Sequence, residues 1–152
     1  MRFQTVQDIL QHTAELHGRL ADILSSASSA HHQQRLSQLL RYLADHEQQL
    51  RHSLENYATE EADHLLNTWF DHAPNPALPQ IPESLEALLS AEDVDTAMSP
   101  ILDFQDQMIR VYQQLHDQAN NQSVKDFFAG LADIEQAEKR QMAGDAKHFE
   151  DV

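Results

Sequence analysis

The chain has no cysteine. That absence removes disulfides, thiolate nucleophiles, Cys-held iron–sulfur clusters and Cys-type zinc sites, so any metal bound here is held by nitrogen and oxygen. Glycine is nearly as scarce, with three in 152 residues. A phosphate-cradling loop needs glycine where the backbone closes on its ligand, and no such loop, nucleophile elbow or Ser/His/Asp arrangement is present. Basic residues number 10 against 25 acidic ones, a formal charge of -15. With no basic stripe to neutralise phosphates, nucleic acid and an anionic membrane are excluded as partners. The ten histidines soften that balance only at acidic pH. No uninterrupted apolar run approaches membrane length, and Met1-Arg2-Phe3-Gln4-Thr5 leads into an amphipathic segment rather than an apolar signal core. The expected location is therefore the cytoplasm.

What the chain does contain is helix-forming composition, rich in Leu, Ala, Gln and Glu outside one Pro-rich stretch, which predicts an all-α protein. The chain also matches itself at an offset of 88 residues. Leu16 pairs with Phe104, Leu20 with Met108, Leu24 with Tyr112, Leu36 with Val124, Leu40 with Phe128 and Leu54 with Met142. Leu43-Ala44-Asp45 recurs as Leu131-Ala132-Asp133, followed in both copies by Glu and Gln at Glu47-Gln48 and Glu135-Gln136. Apolar positions kept in register mean one helical hairpin used twice. At this length the two copies form a single domain, residues 1–152.

The first stripe is Val6, Leu10, Thr13, His17, Leu20 and Leu24, on a helix expected to end within Ser25–Ser29. The second is Leu36, Leu40, Leu43, Glu47, Leu50 and Leu54, continuing or restarting at Thr59 to include Leu65, Leu66, Trp69 and Phe70 until Pro74 and Pro76 stop it. The third is Met98, Ile101, Gln105, Met108, Tyr112 and Leu115; the fourth is Val124, Phe128, Leu131, Glu135, Glu138 and Met142, with Ser123 as its expected N-cap. Pro100 implies either a helix capped by Ser99 or a kink. Hairpin 1 thus covers about 4–72, a crossover with a short helix over Glu83–Leu89 covers about 73–95, and hairpin 2 covers about 96–148. So long a connection reads as a crossover that brings the second hairpin to start at the same end as the first.

The chemistry comes from what interrupts the stripes. His17, Glu47, Gln105 and Glu135 each stand near the middle of one stripe, with Glu138 a turn further along the fourth. The offset maps His17 onto Gln105 and Glu47 onto Glu135, so five polar side chains converge at one layer. Buried carboxylates at one level need a cation, a proton or water. Carboxylates with imidazole suit a hard or borderline divalent ion such as Fe(II), Mn(II) or Zn(II). The bland reading is a hydrogen-bonded core in which His17 donates to Glu47 or Glu135 and Gln105 completes the network.

On these residues the chain resembles the ferritin-like superfamily, closest to its rubrerythrin-type bundles. The similarity spans hairpin, crossover and hairpin, and rests on Leu43-Ala44-Asp45-His46-Glu47 and Leu131-Ala132-Asp133-Ile134-Glu135. The resemblance implies a ferritin-like four-helix bundle of two duplicated hairpins, and a di-iron centre with one Glu from each of helices 1 and 3 and a Glu-x-x-His pair from each of helices 2 and 4. Carried onto this sequence, those positions are His17, Gln105, Glu47 with Leu50, and Glu135 with Glu138. Two of the six keep the family's residue type, and Leu50 has no ligating atom. A hemerythrin-type bundle fails because no histidine here has Glu or His four residues later.

Glu61-x-x-His64, Asp145-x-x-His148 and His31-His32 lie near helix ends and read as solvated pairs and a turn feature. Leu65, Leu66, Trp69, Phe70 and the Ala73–Pro82 stretch make an apolar end, expected to be covered partly by the crossover and partly by a homodimer contact. The expected function is that of a non-catalytic ferritin-like bundle with a decayed di-metal site and a structural or interaction role. The alternative is a protein holding one or two divalent ions (Fe, Mn or Zn) through His17, Glu47, Gln105, Glu135 and Glu138, with redox or peroxide-scavenging activity. Tyr112 and Tyr57 are expected to fill core space.

Overall fold

A computed structural model describes residues 5–60, 63–68, 70 and 76–150. Among them the chain is all-helical: α1 (Val6–Ala30), α2 (Gln34–Glu60), α3 (Asp63–Leu66), α4 (Leu85–Leu89), α5 (Val94–Gln118), α6 (Gln122–Ala146) and a closing 3-10 turn at Lys147–Phe149. Both bounds of α5 lie 88 residues after those of α1, and α6 begins 88 residues after α2, the spacing of the internal match.

Each long helix forms where its apolar period and a capping side chain agree. Thr5 starts α1 with a reciprocal box, its Oγ1 accepting from the Asp8 backbone N–H while the Asp8 carboxylate accepts from that of Thr5. The serine run does not stop α1, which continues to Ala30. Ser28 Oγ donates to the Ser37 carbonyl and Ser37 Oγ to the Ser28 carbonyl, both at 2.7 Å, so the polar side chains are absorbed by the α1/α2 contact. Asp93 caps α5 by accepting from Asp95 and Thr96, which places Pro100 inside the helix and sets aside Ser99 as its cap. The crossover therefore ends at Asp93, slightly before the expected boundary. Asn121, not Ser123, caps α6: its Oδ1 accepts from the Val124 N–H at 2.9 Å.

The stripes meet in one core. The apolar members of the four stripes within the long helices are buried, including Leu36, Leu40, Leu43, Ile101, Met108, Tyr112, Phe128 and Met142. At about 1.5–3 kcal/mol for each fully buried large side chain, this seam is the main stabilising contribution. Leu65 and Leu66 of α3, with Phe70, Leu78 and Ile81 beyond it, pack on the same core, so the crossover covers at least part of the apolar end. Trp69 and Pro74 lie outside the described residues.

Contacts fix the helix directions. The Val6 N–H donates to the Thr68 carbonyl, placing the start of α1 beside the end of the first hairpin. At the opposite end, His31 Nε2 lies 3.0 Å from the Ala91 carbonyl and His32 Nε2 lies 3.0 Å from Glu92, just before α5 begins. Tyr42 meets Asp145, His46 meets Glu138 and Tyr57 packs on Phe127, so α2 and α6 run antiparallel. The order is up, down, down, up. The second hairpin thus starts at the end opposite the first, contrary to the sequence reading, and the physical reason is simple: a start at the same end needs only a short turn. A 25-residue helix is about 37 Å long, and the long crossover carries the chain back along that length.

Candidate functional site

The four mid-stripe polar residues come together in the middle of the bundle. His17, Glu47 and Gln105 are fully buried and Glu135 is 1 % exposed. His17 Nδ1 lies 2.5 Å from Glu47 Oε2, His17 Nε2 lies 2.7 Å from Glu135 Oε1, and Gln105 Nε2 donates to Glu47 Oε1 at 2.5 Å. Each long helix supplies one member: α1 the imidazole, α2 and α6 the carboxylates, α5 the amide. The convergence follows from the fold. With the hairpins running in opposite directions, residues equivalent at the 88-residue offset share a level only near mid-helix, where all four stand. Phe104 packs edge-on to the His17 ring at 5.6 Å and seals that side.

A ring nitrogen facing a carboxylate at hydrogen-bond distance donates to it, and His17 has one such carboxylate on each nitrogen. Burial by itself depresses an imidazole pKa, but Glu135 and Glu47 outweigh it and raise His17 from 6.5 to about 10. His17 is therefore an imidazolium at neutral pH. Burial pushes the Glu135 carboxyl above its usual range, with His17 opposing. Tyr112, fully buried two turns after Gln105, has its hydroxyl pKa pushed well up by burial and by the Glu135 charge.

Glu138 does not join this layer. It is half-buried at the α2/α6 seam, where its Oε2 accepts from His46 Nδ1 at 2.8 Å. The solvation retained at the rim explains the placement, since a third carboxylate inside the layer has no further cation to face. Tyr42 stands beside His46 with ring centroids 4.3 Å apart, and its hydroxyl donates to Asp145 at 2.6 Å. Asp145 is accordingly a partner of α2 rather than one half of a solvated Asp145/His148 pair; His148 is exposed. Glu61 lies outside the described residues. His31 behaves as a turn feature, its Nδ1 accepting from the Gln33 N–H. Tyr42, His46 and Asp145 are not among the residues expected from the sequence to form a site. Their signal was present as rows at helical spacing, with Tyr42 and His46 one turn apart on α2, and Glu138 and Asp145 two turns apart on α6.

The donor set does not fit a di-metal centre. Position 50 is a buried leucine, Glu138 faces His46, and Glu47 and Glu135 stand on opposite nitrogens of one imidazole, so the ring separates the two carboxylates instead of sharing an ion with them. Among the described residues, no group of three or more His, Asp or Glu side chains is arranged to hold a metal ion. No helix there is long and apolar enough to cross a membrane. The chain matches no protein-family model, no curated protein and no solved structure.

Proposed function

We propose that this protein is a ferritin-like bundle of two duplicated hairpins in which a proton takes the place of the metal centre. The buried layer then ties the four helices together, and the molecule acts as a metal-free structural or interaction protein through its acidic surface. One observation carries this reading: both ring nitrogens of His17 lie within hydrogen-bond distance of carboxylates, Glu47 of α2 and Glu135 of α6, a geometry that a doubly protonated ring satisfies. A metal-ligating imidazole keeps one nitrogen free of a proton. The up-down-down-up order, the 88-residue spacing of the helix bounds and the long crossover support the ferritin-like assignment. The charge of -15 supports a basic protein rather than nucleic acid as partner, and the apolar end of the first hairpin is what supports a second copy against this repulsion.

The test is metal retention. Wild type and a Glu47→Ala/Glu135→Ala variant are loaded anaerobically with Fe(II), Mn(II) or Zn(II), desalted and assayed by inductively coupled plasma mass spectrometry. The proposal expects less than a tenth of an equivalent in both. Near-stoichiometric metal in wild type, lost in the variant, supports instead the reading of an ion-binding protein with redox or peroxide-scavenging activity.

A further inference from the structure

The second hairpin shows what the first one lacks. At the end of α5 the His116 carbonyl accepts from the Lys125 ammonium at 3.2 Å, and the Ala119 N–H closes on the same carbonyl. At the 88-residue offset these two positions are Ser28 and Ser37, and there the carbonyl accepts from a neutral hydroxyl. The last carbonyls of a helix carry the negative end of its dipole, which a nearby cation stabilises. α5 has that cation built in. α1 has no basic residue in its last turn, and His32, just past its end, faces Glu92 instead.

A cavity of about 300 Å³ lies at this end of α1, against α4. Ile23, Ala27 and Leu89 give it apolar walls, and Ala30 of the last turn, His31 and Glu86 line it as well. The Glu86 side chain is exposed and makes no hydrogen bond or ion pair among the described residues. His31 has both ring nitrogens engaged, Nε2 with the Ala91 carbonyl and Nδ1 with the Gln33 N–H, and the His32 ring stacks on it at 5.2 Å. It therefore adds a flat wall rather than a charge.

These properties select the occupant. The volume stands at the lower limit of ligand pockets, roughly 300–1,000 Å³, and suits one long side chain. Apolar walls take an alkyl stem, while helix-end carbonyls and an unpaired carboxylate take N–H donors and positive charge. Among cationic groups the guanidinium is planar, forks onto carboxylate oxygens and stacks on flat rings. We propose that this cavity is a docking pocket for an arginine side chain of a basic partner protein, its guanidinium held by Glu86 and the last carbonyls of α1, and its stem against Ile23, Ala27 and Leu89. The inference rests on the proposal of a basic partner and names where on the acidic surface that partner sits. The partner then supplies to the first hairpin the cation that Lys125 supplies to the second.

Nitrogen-15 spectra of the full chain, titrated with acetyl-Ala-Arg-Ala-amide and with its neutral citrulline counterpart, test the pocket. Saturable shifts confined to the amides of residues 26–32 and 86–90 are expected with the arginine peptide. The citrulline peptide, and the arginine peptide on Glu86→Gln, are each expected to bind about threefold more weakly or less, the usual scale for one exposed ion pair. Shifts centred elsewhere on the acidic surface overturn the pocket while leaving a basic partner in place. Equal affinity for the two peptides, an unchanged affinity in Glu86→Gln, or no shift at millimolar peptide also overturns it. Failure of the metal-free reading is separate, since metal retention alone measures that.

Discussion

His17 stands between two carboxylates from different hairpins, both at hydrogen-bond distance and buried in the core. Removing it leaves two acids buried without a cation. His17→Leu is therefore expected to destabilise the fold by about 3–5 kcal/mol, the usual effect of breaking a buried ion pair on one side. Urea denaturation at pH 7 measures it. Replacing His17, Glu47 and Glu135 together with leucine is expected to cost far less than the sum of the single changes, because no charge is then stranded. The same proton sets a pH dependence. In the native protein His17 holds it up to about pH 10, in the unfolded chain only to about 6.5. Its contribution is complete below pH 6.5 and is lost as pH rises toward 10, and the raised Glu135 adds a loss in the same direction. Stability is thus expected to fall by on the order of a few kcal/mol across that window. A flat urea midpoint between pH 6.5 and 10 contradicts the assignment.

At the scale of elements, the helix ends give independent tests. Asn121→Ala removes the acceptor of the Val124 N–H and is expected to destabilise by about 0.5–2 kcal/mol. Gly144 lies in the last turn region of α6 with nothing near the position of an added Cβ. Gly144→Ala is expected to raise the thermal midpoint, by an amount corresponding to at most about 1 kcal/mol. Gly18 differs: a Cβ there meets Arg51 Nη1 at 2.5 Å, so any gain in helix propensity is offset by displacing that guanidinium. The stripes and mid-helix polar positions were legible because their signal is periodic and is written twice. The caps were not, since Asp93 and Ser99, or Asn121 and Ser123, are equally good capping types and only the backbone decides between them. Glu138 misled for a related reason: it keeps the stripe's spacing, but its long side chain reaches sideways to His46, a residue whose partner is 92 positions away.

At the scale of the molecule, the layer is, among the described residues, the one place where all four long helices exchange charge-assisted hydrogen bonds, and it joins α1 to α6 and α2 to α5 across the two hairpins. The hairpins are therefore expected to unfold together, with far- and near-ultraviolet circular dichroism giving coincident transitions. Chain direction was the architectural feature misread from sequence. Composition and period report which face of a helix is buried and say nothing of which end the crossover reaches; the contacts of His31 and His32 with residues 91 and 92 settle it. The protonation of the buried layer is tested most directly by the nitrogen-15 spectrum of the His17 ring at pH 8, followed through added Fe(II) and Zn(II). Two protonated ring nitrogens are expected, with shifts that do not move with either metal. A single deprotonated nitrogen at pH 8, or a ring signal displaced by stoichiometric metal, contradicts it.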